Sequence, residues 1–212
     1  MPEAVVDELS KEYVLSFYNK KLSIHGDSPE ALGWTEQGQA AHYRSLLDVA
    51  ESIDGRKILD YGCGKGDFYR YLKKRNVAVW YTGFDINERL ISLAREKFPE
   101  GRFEVFDTDR DLIEENFDYI FLCGVFNLQV QGIDECVMET LKKLFRHCGT
   151  ALVFNGLSAH NPRRHFELHY FYPEDLLQYA LRNLSHSVAL RHDRMTFDFT
   201  LFVYRDLNRF TG

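Results

Sequence analysis

The 212-residue sequence has no long hydrophobic run, few cysteines and no excess of positive charge. Its longest apolar stretch, residues 119–125, is far shorter than the ~20 residues that span a bilayer. The acidic N-terminus lacks the basic and apolar regions of a secretory signal. The four cysteines are dispersed and form no C-x-x-C pair, which excludes a disulfide scaffold and a thiolate metal site. We therefore expect a cytoplasmic protein that has no membrane segment.

Acidic residues outnumber basic ones by 32 to 26, giving a formal net charge of −6. Nucleic acid and anionic membranes would repel such a protein as a whole, so we expect neither as a partner. Apolar residues make up 45% of the chain, which is enough for a sizeable core and excludes global disorder. The length predicts one domain and leaves the oligomeric state open.

Helical and strand-like patterns alternate along the chain. Helices are predicted at 3–22, 35–53, 68–75, 88–98, 133–147 and 173–184, and strands at 57–61, 77–84, 102–106, 117–123, 150–154, 187–191 and 197–204. This alternation predicts an α/β protein, with a mostly parallel sheet covered by helices on both faces. The connection between the last two strands is too short for a crossover, so this pair should be antiparallel.

The segment DYGCGKG, residues 60–66, lies between a predicted strand and a predicted helix, the context of a nucleotide-type cofactor loop. Its glycines allow a sharp turn and a close approach to a ligand. Asp67 stands where a dinucleotide fingerprint has glycine, and a carboxylate in the first helical turn is unfavourable for a pyrophosphate. The pattern therefore disfavours an NAD-binding oxidoreductase, which remains an alternative.

Three acidic residues, Asp60, Asp85 and Asp107, lie at the ends of three successive predicted strands. The carboxyl ends of parallel strands meet at one edge of the sheet, so these carboxylates should converge on one crevice. There Asp85 could accept both hydroxyls of a ribose, and Asp107 could accept an adenine amino group. The alternative for each residue alone is a role in a turn or a helix cap.

Several motifs occur together in this chain: ILDYGCGKGDF, GFDIN, the acid Asp107, FDYIFLCGVFN and the terminal hairpin. In these motifs the sequence resembles the class I S-adenosylmethionine-dependent methyltransferases, over roughly residues 35–204. It most resembles small bacterial members with an HGDSPEALGW-like lead-in. The resemblance implies a Rossmann-like sheet of seven strands, mostly parallel with the last antiparallel, and S-adenosylmethionine as cofactor. It also implies the cofactor-binding residues: Gly62, Cys63 and Gly64 at the methionine part, Asp85 at the ribose, Asp107, Ile86 and Thr108 at the adenine, Cys123 and Gly124 under the sulfonium, and Asp60 behind them.

Residues 1–34 are predicted to form a helical cap over the cofactor, and residues 35–212 the methyltransferase domain. Near this boundary, Tyr18 is a candidate acceptor contact, and Trp34 and Arg44 are candidate cofactor contacts. An arginine can pair with the cofactor carboxylate. The alternative is that Trp34 packs at the edge of the core and Arg44 lies on a solvated helix face.

Methyl transfer from a sulfonium mainly requires alignment of nucleophile, methyl and sulfur without water, so a general base is optional. Phe126 and Asn127 follow the fourth predicted strand. We predict that Phe126 contacts the methyl acceptor and that Asn127 orients it by a hydrogen bond. The alternative for Asn127 is an Asx turn.

Residues 155–172 are rich in histidine, arginine and tyrosine. Here His160 and His169 are candidate bases for a hydroxyl acceptor, Arg163 and Arg164 are candidate anion-binding residues, and Tyr170 is a candidate acceptor contact. No carboxylate or cysteine stands beside the histidines at metal-ligand spacing, so we expect no metal. The sequence thus predicts methylation of an O or N atom of a small metabolite, an anionic one if the arginines bind it. A non-catalytic cofactor-binding protein of the same fold is a further alternative.

Overall fold

A seven-stranded sheet organises the part of the chain that the computed structural model describes, residues 6–205. Its strands are β1 (Lys57–Tyr61), β2 (Trp80–Asp85), β3 (Arg102–Val105), β4 (Phe117–Cys123), β5 (Cys148–Leu157), β6 (Val188–Arg191) and β7 (Asp198–Tyr204). The α-helices are α1 (Glu8–His25), α2 (Glu36–Leu46), α3 (Asp67–Lys74), α4 (Glu88–Lys97), α5 (Ile133–Arg146) and α6 (Pro173–Asn183). Short 3-10 helices occupy Pro29–Leu32 and Leu47–Val49. Between residues 6 and 205, no helix is both long and apolar enough to cross a membrane.

The strand order is β3-β2-β1-β4-β5-β7-β6. Strands β1 to β5 pair in parallel, whereas β7 is antiparallel to both β5 and β6. The predicted seven-stranded sheet with an antiparallel last strand is therefore confirmed. The order reverses between β1 and β4, and such a switch point opens a crevice at the carboxyl ends of the strands.

Both faces of the sheet are covered, as the apolar character of its strands predicts. Leu59 and Ile120 point to the face packed by α5 and α6. Their neighbours Ile58 and Phe121 point to the face packed by α2, α3 and α4. All four side chains are fully buried, so the centre of the sheet is a rigid support for the loops at its carboxyl edge.

Several element boundaries differ from the sequence prediction for physical reasons. Strand β2 begins at Trp80 because Ala78 instead bonds the turn at Asp54 and Gly55. Strand β5 continues to Leu157, beyond the predicted end at residue 154, because β7 pairs along it as far as Asp198. The predicted helix 35–53 ends early, as α2 at Leu46 followed by a 3-10 turn.

Helix starts follow local capping chemistry. Asn87 caps α4 as predicted, and its Oδ1 accepts from the backbone N–H groups of Arg89 and Leu90 at 3.0 and 3.2 Å. Asp7 caps α1 by accepting from the Ser10 N–H, so this helix begins at Glu8 rather than at residue 3. Residues 3–5 of the predicted first helix lie outside the described residues.

Candidate active site

A cavity lies at the carboxyl ends of β1, β2 and β4, where the strand order reverses, and α1 covers it. Eleven of the residues singled out in the sequence line it: Tyr18, Trp34, Gly62, Gly64, Asp85, Ile86, Asp107, Thr108, Cys123, Gly124 and Phe126. These residues come from six separate parts of the chain. The fold therefore brings together most of the predicted cofactor contacts.

The glycine loop after β1 is fixed to the end of β2. The backbone N–H groups of Gly62 and Cys63 both donate to the Phe84 carbonyl, at 2.7 and 3.0 Å. Gly62 has φ +76°, and a Cβ on it would overlap the Val125 side chain. Only glycine satisfies both constraints. The loop therefore presents bare backbone to the cavity, while the Cys63 side chain is buried behind it.

Asp85 is held at the end of β2 by two backbone donors. Its Oδ2 accepts from the Gly64 N–H and its Oδ1 from the Asn87 N–H, both at 2.8 Å. Burial raises the pKa of this carboxyl, and the two N–H groups act in the opposite direction. Each carboxylate oxygen can accept two hydrogen bonds, so a fixed Asp85 has one acceptor position left on each oxygen. This arrangement suits a vicinal diol.

Asp60 lies behind the glycine loop and does not line the cavity. Its Oδ2 accepts from the Tyr81 hydroxyl at 2.5 Å. Burial raises the pKa of Asp60 to about 7, and the nearby charges of Asp85 and Asp67 add to this effect. Asp60 is therefore a buried carboxyl that is bonded to Tyr81 on β2 and has a pKa near neutral.

Asp107 meets a residue that the sequence reasoning did not find. Lys11, on α1, places its Nζ 2.8 Å from Asp107 Oδ2 and 2.8 Å from Asp109 Oδ2. Burial alone would raise the pKa of Asp107, but the bond from Lys11 brings it below its ordinary value. Lys11 precedes Val14 by three residues and Tyr18 by seven, and this helical spacing, shared with two cavity residues, is the signal that could have identified it.

The middle of α1 lies over the part of the cavity that Asp85 lines. The half-buried Tyr18 lines the cavity together with Asp85, and desolvation and the aspartate charge raise the pKa of its phenol. One residue further, Asn19 Oδ1 accepts from Asn87 Nδ2 at 3.1 Å. Helix α1 therefore contacts the same loop after β2 that fixes Asp85.

The segment that follows α1 covers another part of the cavity, through Leu32 and Trp34. A Cβ added to Gly64 would stand 3.0 Å from Leu32 Cδ1, and one added to Gly124 would stand 2.6 Å from Trp34 Cζ2. The Trp34 ring packs against His42, with 4.3 Å between ring centroids. Leu32 and Trp34 thus touch two of the glycines that shape the cavity wall.

Asn127 lies beside this wall. A Cβ on Gly124 would stand 2.9 Å from Asn127 Nδ2. The Asn127 Oδ1 is buried and accepts no hydrogen bond from any residue between 6 and 205. An unpaired buried acceptor is uncommon and costly in folded proteins. Asn127 itself does not line the cavity, so the acceptor contact predicted for it stays a prediction.

The buried His169 has both ring nitrogens engaged. Its Nδ1 is 3.0 Å from Gln129 Oε1, and its Nε2 is 3.0 Å from Asp134 Oδ1. Its backbone N–H donates to the Asn127 carbonyl at 3.0 Å. In this geometry His169 attaches the segment after β5 to the loop after β4, and neither ring nitrogen is available to a ligand in the cavity.

The remaining acceptor candidates do not line the cavity. His160 Nε2 is 3.0 Å from Glu174 Oε2, and both side chains are exposed. Arg163 and Arg164 are exposed, and the Arg164 guanidinium donates to the carbonyls of Ala159 and Asn161. Tyr170, whose hydroxyl accepts from the His165 N–H, is the last of these acceptor candidates. Arg44, predicted as a cofactor contact, also does not line the cavity and is exposed on α2. Strand β5 continues to Leu157, and His160, Arg163 and Arg164 follow it in a loop that is exposed at these residues.

Comparisons with known proteins give a consistent result. A family model described as "Methyltransferase domain" matches residues 59–158. The Mycobacterium tuberculosis protein Rv1506c, which bears a methyltransferase name, is 30% identical over 163 residues, 74% of this chain and 98% of that protein. The tRNA (uracil(54)-C(5))-methyltransferase of Pyrococcus horikoshii is 38% identical over 120 residues, 54% of this chain and 28% of that enzyme.

Among solved structures, the magnesium protoporphyrin IX methyltransferase of Synechocystis PCC 6803 with bound S-adenosylhomocysteine is similar, with a TM-score of 0.67. The match covers 92% of this chain and 99% of that one. Sequence identity over it is 16%, so this likeness concerns the fold.

Proposed function

The chain belongs to the class I S-adenosylmethionine-dependent methyltransferases, and from this premise we propose that it methylates an N or O atom of a small metabolite. The observation that carries the proposal is the cover over the cavity. Lys11 pairs with Asp107 at one end, and Trp34 contacts the Gly124 wall at the other. A covered cavity suits a small molecule, whereas a folded RNA needs an open face.

The residues around the cavity fit the cofactor. The backbone at Gly62 and Gly64 allows close approach of the methionine part. Asp85 has acceptor positions for the two ribose hydroxyls, and Asp107 is at the predicted adenine end. When bound, S-adenosylmethionine supplies a methyl group on a positively charged sulfur that is already a good leaving group. The protein itself must hold, align and desolvate the reactants.

The unpaired Asn127 Oδ1 supports an acceptor that carries a hydrogen on its reacting atom. An N–H or O–H group donating to this oxygen would have its lone pair oriented by the bond, and Trp34 and Phe126 would exclude water around it. The bond would also compensate the buried oxygen, which supports Asn127 as an orienting residue. Methyl transfer would form a bond to this lone pair and break the carbon–sulfur bond. Since His160 and His169 do not line the cavity, the methylated product would release its proton to solvent as it leaves.

The predicted preference for an anionic acceptor stays a prediction. Arg163 and Arg164 are exposed outside the cavity. The wall beyond the cofactor residues is largely apolar, with side chains such as Val14, Leu128, Val130 and Ile133. This wall supports an acceptor with an apolar body next to its reacting atom. The cytoplasmic location inferred from composition also stays a prediction.

A labelling experiment tests the proposal. The protein is incubated with methyl-tritiated S-adenosylmethionine and either the fraction of a bacterial extract below 1 kDa or its total RNA. We expect label to transfer into the small-molecule fraction, and the Asp85→Ala variant to transfer little. Transfer into RNA alone would contradict the proposed acceptor class, and transfer into neither would support a non-catalytic cofactor-binding protein.

A further inference from the structure

A buried ionic cluster lies behind the glycine loop, on the side away from the cavity. Lys65 occupies the middle of the loop, yet its side chain is fully buried and does not line the cavity. Its Nζ is 2.6 Å from Asp67 Oδ2 and 3.1 Å from Asp27 Oδ1. A buried ammonium needs such partners because its desolvation is costly. One of the two is supplied by the segment that follows α1.

That segment carries Asp27, on which three cations converge. Besides Lys65, Lys97 Nζ is 2.6 Å from Asp27 Oδ1, and an Arg70 Nη1 is 3.9 Å from Asp27 Oδ2. Lys97 also donates to the Lys65 backbone carbonyl at 3.1 Å. Asp27 is thereby linked to the glycine loop, to α3 and to α4 at once.

Asp27 reduces the excess of positive charge in this cluster. The other carboxylate, Asp67, already accepts from Arg70 at 2.8 Å and from Gln39 at 3.0 Å, as well as from Lys65. With both carboxylates, three cations face two anions. With Asp67 alone, three cations would face one, and their mutual repulsion would act between the loop and the two helices.

Asp27 stands at the start of the stretch that closes the cavity. Leu32, which contacts Gly64, follows it by five residues, and Trp34, which contacts Gly124, follows it by seven. A 3-10 helix at Pro29–Leu32 makes this connection short and ordered. A fixed Asp27 therefore restricts where both side chains can lie.

We propose that Asp27 is a positioning residue for cofactor binding, because its pairing with Lys65 and Lys97 holds residues 27–34 against the glycine loop. Leu32 and Trp34 then close over the methionine end of the cofactor. The proposal rests on the cofactor occupying this cavity, as the proposed function requires. The Asp27 side chain is 41% exposed, so its loss should change local closure more than overall stability.

The test uses Trp34 as a reporter. The chain has two tryptophans, and Trp80 is 75% exposed, so Trp80→Phe leaves Trp34 as the sole indole. In this background, Asp27→Asn is compared with the control Asp48→Asn. Asp48 also pairs with two arginines, Arg194 at 2.7 Å and Arg191 at 3.4 Å, but it does not line the cavity.

We expect Asp27→Asn to weaken S-adenosylhomocysteine binding about fivefold in calorimetry. The Trp34 emission of the ligand-free protein should shift to longer wavelength, and the melting temperature should stay close to that of the parent. Asp48→Asn should leave affinity and emission unchanged. Parent-like affinity and emission in Asp27→Asn would overturn the proposal.

A second variant covers the case in which Asp27→Asn unfolds. Lys97→Met removes the partner on α4 and should cause the same loss of affinity and the same emission shift. If Lys97→Met binds and emits like the parent, the positioning role is overturned. Absence of S-adenosylhomocysteine binding by the parent itself would instead overturn the cofactor assignment, and with it this proposal.

Discussion

Lys11 Nζ lies 2.8 Å from Asp107 Oδ2, although 96 residues separate the two in sequence. The pair joins α1, which precedes the sheet, to the loop that follows β3. It is largely shielded from solvent, with 11% and 15% of the two side chains exposed. The helix that covers the cavity is therefore fastened by an ion pair at the end where Asp107 lies.

Replacement of this lysine should loosen the cover. We expect Lys11→Met to destabilise the protein by about 1–3 kcal/mol, because it leaves the partly buried Asp107 and Asp109 carboxylates without their shared cation. Urea unfolding measures this loss, and hydrogen exchange in α1 should accelerate. Lys20→Met, an exposed change on the same helix, is the control and should have little effect. Equal unfolding midpoints for the two variants would contradict the role of the pair.

Two glycines with similar backbone angles separate the effect of crowding from that of conformation. Gly62 and Gly55 have φ of +76° and +69°, but only at Gly62 would a Cβ meet another side chain, that of Val125. Gly55→Ala should cost about 1 kcal/mol from its backbone angle alone. Gly62→Ala should lower the free energy of unfolding by about 2 kcal/mol or more and should also weaken S-adenosylhomocysteine binding. Parent-like binding by Gly62→Ala would show that the loop tolerates a Cβ.

Asp60 predicts a pH dependence of stability. Because burial raises its pKa from 3.8 in the unfolded chain to about 7, the folded state holds the proton more tightly. The contribution of Asp60 to the free energy of unfolding is therefore complete below about pH 4 and is lost as the pH rises through 7. When the pH rises from 5 to 8, the free energy of unfolding of the parent should therefore fall by roughly 1–3 kcal/mol more than that of Asp60→Asn.

Urea unfolding at these two pH values measures the difference. Glu51→Gln, a change at an exposed carboxyl, serves as the control and should keep the pH slope of the parent. If Asp60→Asn has that same slope, Asp60 does not titrate in this range.

Asn127 gives a test that separates function from structure. Its Oδ1 is buried without a partner among the described residues, so Asn127→Ala should change the unfolding free energy by less than about 1 kcal/mol. S-adenosylhomocysteine affinity should also stay within about twofold. Methyl transfer to the acceptor should fall by about 10- to 100-fold in kcat/KM, the loss expected for one orienting hydrogen bond. Unchanged transfer by this variant would remove Asn127 from the acceptor site.

The fold and the cavity residues from the strand ends could be predicted because both depend on local patterns. Apolar runs fix the strands, and a parallel sheet necessarily brings Asp85 and Asp107 to one edge. The glycine loop is likewise set by its own residues, since Gly62 requires a positive φ. These features need no knowledge of distant contacts.

The parts that escaped prediction depend on long-range geometry. Sequence spacing does not show that Lys11 reaches Asp107, or that Lys65 turns away from the cavity to meet Asp27. It also does not show that both ring nitrogens of His169 are engaged by Gln129 and Asp134. A histidine near a site in sequence can therefore serve packing rather than catalysis.

The central claim is tested most directly by calorimetry, in which the parent and the Asp85→Ala variant are each titrated with S-adenosylhomocysteine and with NAD. We predict that the parent binds S-adenosylhomocysteine with a Kd in the micromolar range, roughly −8 kcal/mol, and does not bind NAD comparably. Asp85→Ala should bind the same ligand about 10- to 100-fold more weakly, because it loses charge-assisted bonds to the ribose. Tight binding of NAD, or undiminished S-adenosylhomocysteine affinity in Asp85→Ala, would contradict the account.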